Sequence, residues 1–114
     1  AAARSGAKVA LVGRVGDDGA GTRILNNLRR AGVMTSGAAP SDKSTGSAFI
    51  MRDANGENSI IVALGANEDV TAEQVPDDIL GPRNMVMMQM EVTPEQNWAL
   101  IDRAHALGAT TMMN

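Results

Sequence analysis

Two runs of β-type residues, Ser47 to Met51 and Ser59 to Leu64, stand on either side of a polar turn that holds Asn55-Gly56. That dipeptide suits positive φ in a tight turn, so the stretch Thr45 to Asn67 predicts an antiparallel hairpin closing on Gly65-Ala66-Asn67. The hairpin constrains the fold because the rest of the chain alternates strand with helix, a pattern that builds a parallel sheet. An antiparallel insert cannot enter that alternation and is expected to stand out from the sheet as a flap. Side chains alternate along a strand, which puts Ala48 and Ile50 on one face, where Val62 of the second run can join them. Such a face could cover a ligand and exclude water, or pack on the sheet or on a partner flap; alternation alone admits both.

The scaffold is read from its punctuation. Ala1 to Ser5 looks like the last turn of a helix stopped at Gly6, and Lys8 to Val12 like a buried strand. Gly13 to Gly21 is a glycine-rich loop with the adjacent acids Asp17 and Asp18. From Thr22 to Ala31, the residues Ile24, Leu25, Leu28 and Ala31 share one face of an amphipathic helix that ends at Gly32. Val33 to Ala39 reads as a weaker extended run closed by Pro40-Ser41-Asp42. Beyond the hairpin, Thr71-Ala72-Glu73-Gln74 and Thr93-Pro94-Glu95-Gln96 both fit a capping box. Met85 to Met90 and Ala109 to Met113 read as further buried parallel strands, joined by a helix that runs to about Leu107 and stops at Gly108. The methionines are expected to fill strand and core positions.

At 114 residues the chain is one domain's worth. Its net charge of −3 leaves no electrostatic footprint for nucleic acid, and its apolar runs are too short for a membrane span or signal peptide. The absence of cysteine removes disulfide frameworks and cysteine-based zinc sites, and together these features point to a cytoplasmic protein. Because the sequence starts on Ala1 and stops at Asn114 directly after a strand-like run, it is expected to be an internal fragment.

Two places carry candidate chemistry. The glycine loop lacks the lysine of a P-loop and the three-glycine dinucleotide spacing, so it is read as a tight strand-to-helix turn in which Asp17 and Asp18 could ligate a metal or cap the helix, with capping favoured. Glu91 follows the run Met85 to Met90, at the carboxyl end where open α/β sheets bind ligands. A carboxylate there can accept hydrogen bonds from sugar hydroxyls, or simply be a solvated acid leading into a helix. The single histidine, His105, has no second histidine, serine or cysteine to work with and is read as structural.

SGAKVALVGRVGDDGAG, then STGSAFIMRDANGENSIIVALGAN, then MMQMEVT, in this order and spacing, closely resemble the ribokinase family of PfkB carbohydrate kinases, over essentially the whole chain. The resemblance implies a partial ribokinase-like α/β fold: a parallel sheet with flanking helices and a β-hairpin lid, residues 45–67, that covers the sugar and mediates homodimerisation. It implies ATP-dependent phosphorylation of the 5-hydroxyl of ribose, with Mg2+ and a monovalent cation (K+) in the parent enzyme. Glu91 corresponds to the glutamate that hydrogen-bonds the sugar, and Ala48, Ile50 and Val62 to the lid residues that close over it. Gly16, Asp17, Asp18 and Gly21 match the family's GDDxxG and are carried over as a structural loop, with Ala20 where a larger side chain is common. The Asn-x-Asp and GGKGAN motifs and the GAGD motif with the catalytic base have no counterpart, so no catalytic, cofactor-binding or metal-binding residue is expected among these 114, and the isolated chain is expected to be inactive. The alternatives are a related kinase of fructose, a nucleoside or a deoxy sugar acid, and a non-catalytic binding or dimerisation module.

Overall fold

The strand-to-helix loop is hydrogen-bonded to Thr45, at the end of the segment that starts at Ser41. The computed structural model describes all of residues 1–114. A 3-10 turn, Ala2–Ser5, ends at Gly6, and β1 (Val9–Gly16) leads through Asp17-Asp18 into helix α1 (Gly19–Arg30). The chain turns at Gly32 into β2 (Val33–Ser41), which runs parallel to β1 with Val9 opposite Val33 and Gly16 opposite Ser41. The strand passes through Pro40, where the sequence suggested a stop. Proline is tolerated because β2 pairs only with β1, so the missing N–H breaks no second ladder.

The hairpin forms as expected from β3 (Ser47–Arg52) and β4 (Asn58–Ala63), antiparallel, with Ala48 opposite Val62 and Ile50 opposite Ile60. Its turn is longer than a two-residue Asn-Gly loop. Asp53 organises it, its carboxylate accepting from the backbone N–H groups of Asn55 and Glu57 at 2.9 Å each, and only Gly56 takes positive φ, at 89°. A five-residue loop closed by an Asx turn removes the need for a left-handed asparagine.

Past the hairpin the chain makes three short 3-10 turns, then β5 (Met85–Met88), helix α2 (Pro94–Ala106) and β6 (Thr110–Met113). β5 and β6 are parallel, Met85 opposite Thr110. The α/β class and the antiparallel hairpin are as read from the sequence; the parallel strands, however, are divided between two separate pairs. The capping box at Thr71 is complete, yet it opens only the single turn Ala72–Gln74 before Pro76. The one expected at Thr93 does not form, because Gln96 turns away to accept from the Ala72 N–H at 2.8 Å.

Core packing is concentrated on one side. Ala72, Val75, Leu80, Met88, Leu100, Ala104 and Ala109 form the main cluster, with Val12, Val86 and Ile101 packed against it. Arg103 holds this layer together: it donates to the carbonyls of Ala72 and Val75 at 2.7 and 2.8 Å and pairs with Asp77. All the methionines but Met90 lie in strands, as expected, but only Met88 is buried, which corrects the expectation that they also fill the core; Met85, Met87 and Met112 lie on strand faces that nothing in the chain covers. β1 and β5 are accordingly half-exposed strands rather than buried ones. The Cα radius of gyration is 15.4 Å, against about 13 Å for an ordinary compact domain of this length, and the longest dimension is 48 Å. The projecting hairpin accounts for the excess: every residue of both its strands is exposed.

Candidate functional site

The hairpin is attached to the body through its root, and the root is a knot of three segments. The first is the β1–α1 loop. Asp18 is the N-cap of α1, extended at φ −138°, and its Oδ1 accepts from the Gly21 N–H at 2.8 Å. The same carboxylate reaches the second segment, Ser41 to Gly46: Oδ2 accepts from the Thr45 N–H at 2.8 Å and Oδ1 from the Thr45 hydroxyl at 2.7 Å. Thr45 Oγ1 in turn accepts from the Gly16 N–H at 3.0 Å. The third segment is the turn Gly65–Asp69 after β4, tied to the second by the Ala66 N–H donating to the Ser44 carbonyl at 2.8 Å. Lys43 completes it with ion pairs to Asp69 at 2.8 Å and Glu68 at 3.0 Å, while the Ser41 hydroxyl donates to Asp69.

These contacts set the local charge. Three hydrogen bonds to the ionised form, led by the Thr45 N–H and followed by the Gly21 N–H and the Thr45 hydroxyl, hold the Asp18 carboxyl down at about 2. Asp69 is lowered by Lys43 and Ser41, and Lys43 is raised by Asp69 and Glu68. Since the folded pKa of Asp18 lies below its ordinary value of 3.8, the contribution of this carboxylate to stability is present above about pH 4 and is lost as the pH falls toward 2. A carboxyl-carbon NMR titration of Asp18 should give a midpoint near 2. In Thr45→Val, which removes one of the three donors, the midpoint should move up toward 3.8.

The N–H of Gly16, at the end of β1, is given to Thr45 and that of Gly21, in the first turn of α1, to Asp18, both of whose carboxylate oxygens accept hydrogen bonds. Between Asp17, Asp18 and the Ser41–Ser44 segment lies an open polar depression of about 320 Å³.

The sequence-derived site residues fall in two places. Ala48, Ile50 and Val62 share one face of the hairpin, as alternation required, and Ile60 lies with them opposite Ile50. Ile60 was missed although its signal was local, since alternation along β4 puts it on the face of Val62 whatever the register. The opposite face is equally apolar, carrying Phe49, Met51 and Ile61 at 63%, 51% and 58% exposure. Glu91 lies in the turn after β5, exposed and in none of the chain's ion pairs; it belongs to the body and not to the hairpin. His105 is exposed, its Nε2 2.9 Å from Thr111 Oγ1.

Residues 1–114 match the family described as pfkB family carbohydrate kinase. The chain belongs to that family. It is 44% identical over 98 residues to the ribokinase of Bacillus subtilis (strain 168), an alignment covering 83% of this chain and 33% of the ribokinase. The fold superposes with a TM-score of 0.82 on a ribokinase from Cryptococcus neoformans var. grubii serotype A solved in complex with ADP, at 32% identity, covering 99% of this chain and 36% of that one. A ribokinase from Arabidopsis thaliana, complexed with ribose and ATP, superposes at 0.81 with 26% identity, covering 97% of this chain and 38% of that one. This PfkB chain thus spans about a third of the length of the relatives it matches. No helix in it is long and apolar enough to cross a membrane.

Proposed function

We propose that the chain is part of an ATP-dependent sugar kinase that phosphorylates the 5-hydroxyl of D-ribose, contributing the lid and part of the sugar side. The observation that carries this reading is the match to the carbohydrate-kinase family along the whole of residues 1–114, together with a projecting hairpin that is apolar on both faces. Glu91, at the carboxyl end of β5, accepts hydrogen bonds from sugar hydroxyls. Ala48, Ile50 and Val62 close over the ring and exclude water, so that the hydroxyl rather than water reaches the phosphate. ATP, with Mg2+ and K+, supplies the transferred phosphoryl group from parts of the enzyme outside these residues. The second apolar face, Phe49, Met51 and Ile61, fits a homodimer formed between lids, since exposed apolar surface of this kind marks an interaction site.

The test is an assay of sugar-dependent ADP formation by the full-length protein on ribose, 2-deoxyribose, fructose and a nucleoside, with Glu91→Ala beside the wild type. Ribose should give the highest kcat/KM. Glu91→Ala should raise the ribose KM by about 10- to 150-fold, the equivalent of one or two charge-assisted hydrogen bonds, with the KM for ATP unchanged. No sugar-dependent turnover would overturn the kinase reading in favour of a binding module, and a preference for another sugar would replace ribose.

A further inference from the structure

We infer that Asp18 and Thr45 are positioning residues that set the angle of the lid, an inference that rests on the lid reading above. An N-cap needs one acceptor for the helix, and Asp18 meets that need with its bond to the Gly21 N–H. The remaining capacity of the carboxylate is spent outside the helix, on both the N–H and the hydroxyl of Thr45, a residue 27 positions away at the foot of β3. Thr45 is buried, and its hydroxyl is used twice, donating to Asp18 and accepting from Gly16. The segments are also in backbone contact: a Cβ built on Gly16 would lie 2.6 Å from both the Lys43 carbonyl oxygen and the Thr45 nitrogen. Gly65, on the other leg of the hairpin, takes φ +52° with a Cβ position 2.3 Å from the Ser44 carbonyl oxygen.

Leverage gives these short contacts their weight. β3 and β4 pair with each other and with no other strand, and all their residues are exposed, so within the chain nothing along the blade fixes its direction. A six-residue strand is about 20 Å long, and a tilt of about 10° at its foot moves the far end by about 3 Å and Ile50 by about half that. Misplacement of about 1 Å in a group that must close on a substrate is enough to be felt in turnover. The hydrogen bonds of Asp18 and Thr45 thereby couple the β1–α1 loop to the place where Ala48, Ile50 and Val62 meet the sugar.

The experiment uses the full-length protein with Thr45→Val, which keeps the shape and removes the hydroxyl, and Thr45→Ser, which keeps the hydroxyl. Thr45→Val should raise the KM for ribose about tenfold, with the KM for ATP unchanged, and Thr45→Ser should restore it. In hydrogen exchange, the amides of residues 47–66 should exchange about tenfold faster in Thr45→Val while those of α2 stay at the wild-type rate. Equal changes in both KM values, or faster exchange spread through α2, would show a general loss of structure and overturn the inference, as would unchanged exchange in the hairpin. If the wild type phosphorylates no sugar, the kinase reading fails, and the exchange result alone decides whether Asp18 and Thr45 hold the hairpin.

Discussion

Alanine at Gly21 is expected to destabilise the full-length protein by about 2–4 kcal/mol, while alanine at Gly19 in the same helical turn leaves stability unchanged or raises it by about 0.5 kcal/mol. The two glycines have the same local propensity argument in their favour: each gains by replacement with a better helix former. What separates them is what a methyl group meets. At Gly19 nothing lies within 4 Å. At Gly21 the new Cβ would sit 2.4 Å from the Gly16 carbonyl oxygen, 3.0 Å from Thr45 Oγ1 and 3.1 Å from Val15 Cβ. The nearest of these is backbone that is itself fixed by pairing between β1 and β2, so it cannot rotate away as a flexible side chain would. Relief requires α1 to move off the loop, and that movement pulls the Gly21 N–H away from Asp18. Urea midpoints of the two variants, with the slope checked for a common unfolding unit, measure the difference. Equal midpoints would show that the loop is not packed against the start of α1.

What could be read from the sequence was what local chemistry determines. The hairpin was legible from alternation on either side of a polar turn, though not the form of that turn, α1 from the spacing of Ile24, Leu25 and Leu28, and the capping role of Asp18 from its place before a helix. The capping box at Thr71 was legible for the same reason, since its partner is three residues away. Long-range competition was not legible. Thr93 and Gln96 carry the same pattern as Thr71 and Gln74, but Gln96 finds the Ala72 N–H across the core and the local motif is lost. The burial of the methionines failed because an apolar strand records that it suits a sheet, and not whether both of its faces are covered within the chain. Thr45 had no local signal at all. A threonine before a glycine is ordinary, and its meaning comes from Asp18, which only the folded β1–α1 loop brings within hydrogen-bonding distance.

The hairpin's two faces should answer differently to the same substitution. Ile50 and Ile61 are one step apart in the ladder, on opposite faces, and both are more than half exposed, at 67% and 58%. A lysine at either position meets solvent within this chain, so a purely structural effect should be small and similar at the two sites. The proposed enzyme breaks that equivalence. On the sugar side, Ile50→Lys places a charge against a ring that the lid must cover in the absence of water, and the ribose KM should rise at least tenfold while the protein remains dimeric. On the opposite side, Ile61→Lys removes an apolar contact worth about 1.5–3 kcal/mol and buries a charge at a symmetric interface, where each substitution is met twice. The dimer dissociation constant should rise at least 100-fold, which sedimentation velocity across a dilution series would reveal as monomer. Ribose KM measured at a concentration where wild type and Ile50→Lys are both dimeric keeps the two effects apart. Were Ile50→Lys to dissociate the dimer and Ile61→Lys to raise the KM, the faces would be exchanged and Phe49, Met51 and Ile61 would be the residues that meet the sugar. Were neither to change, the hairpin would close on nothing, and its exposed apolar surface would need another occupant.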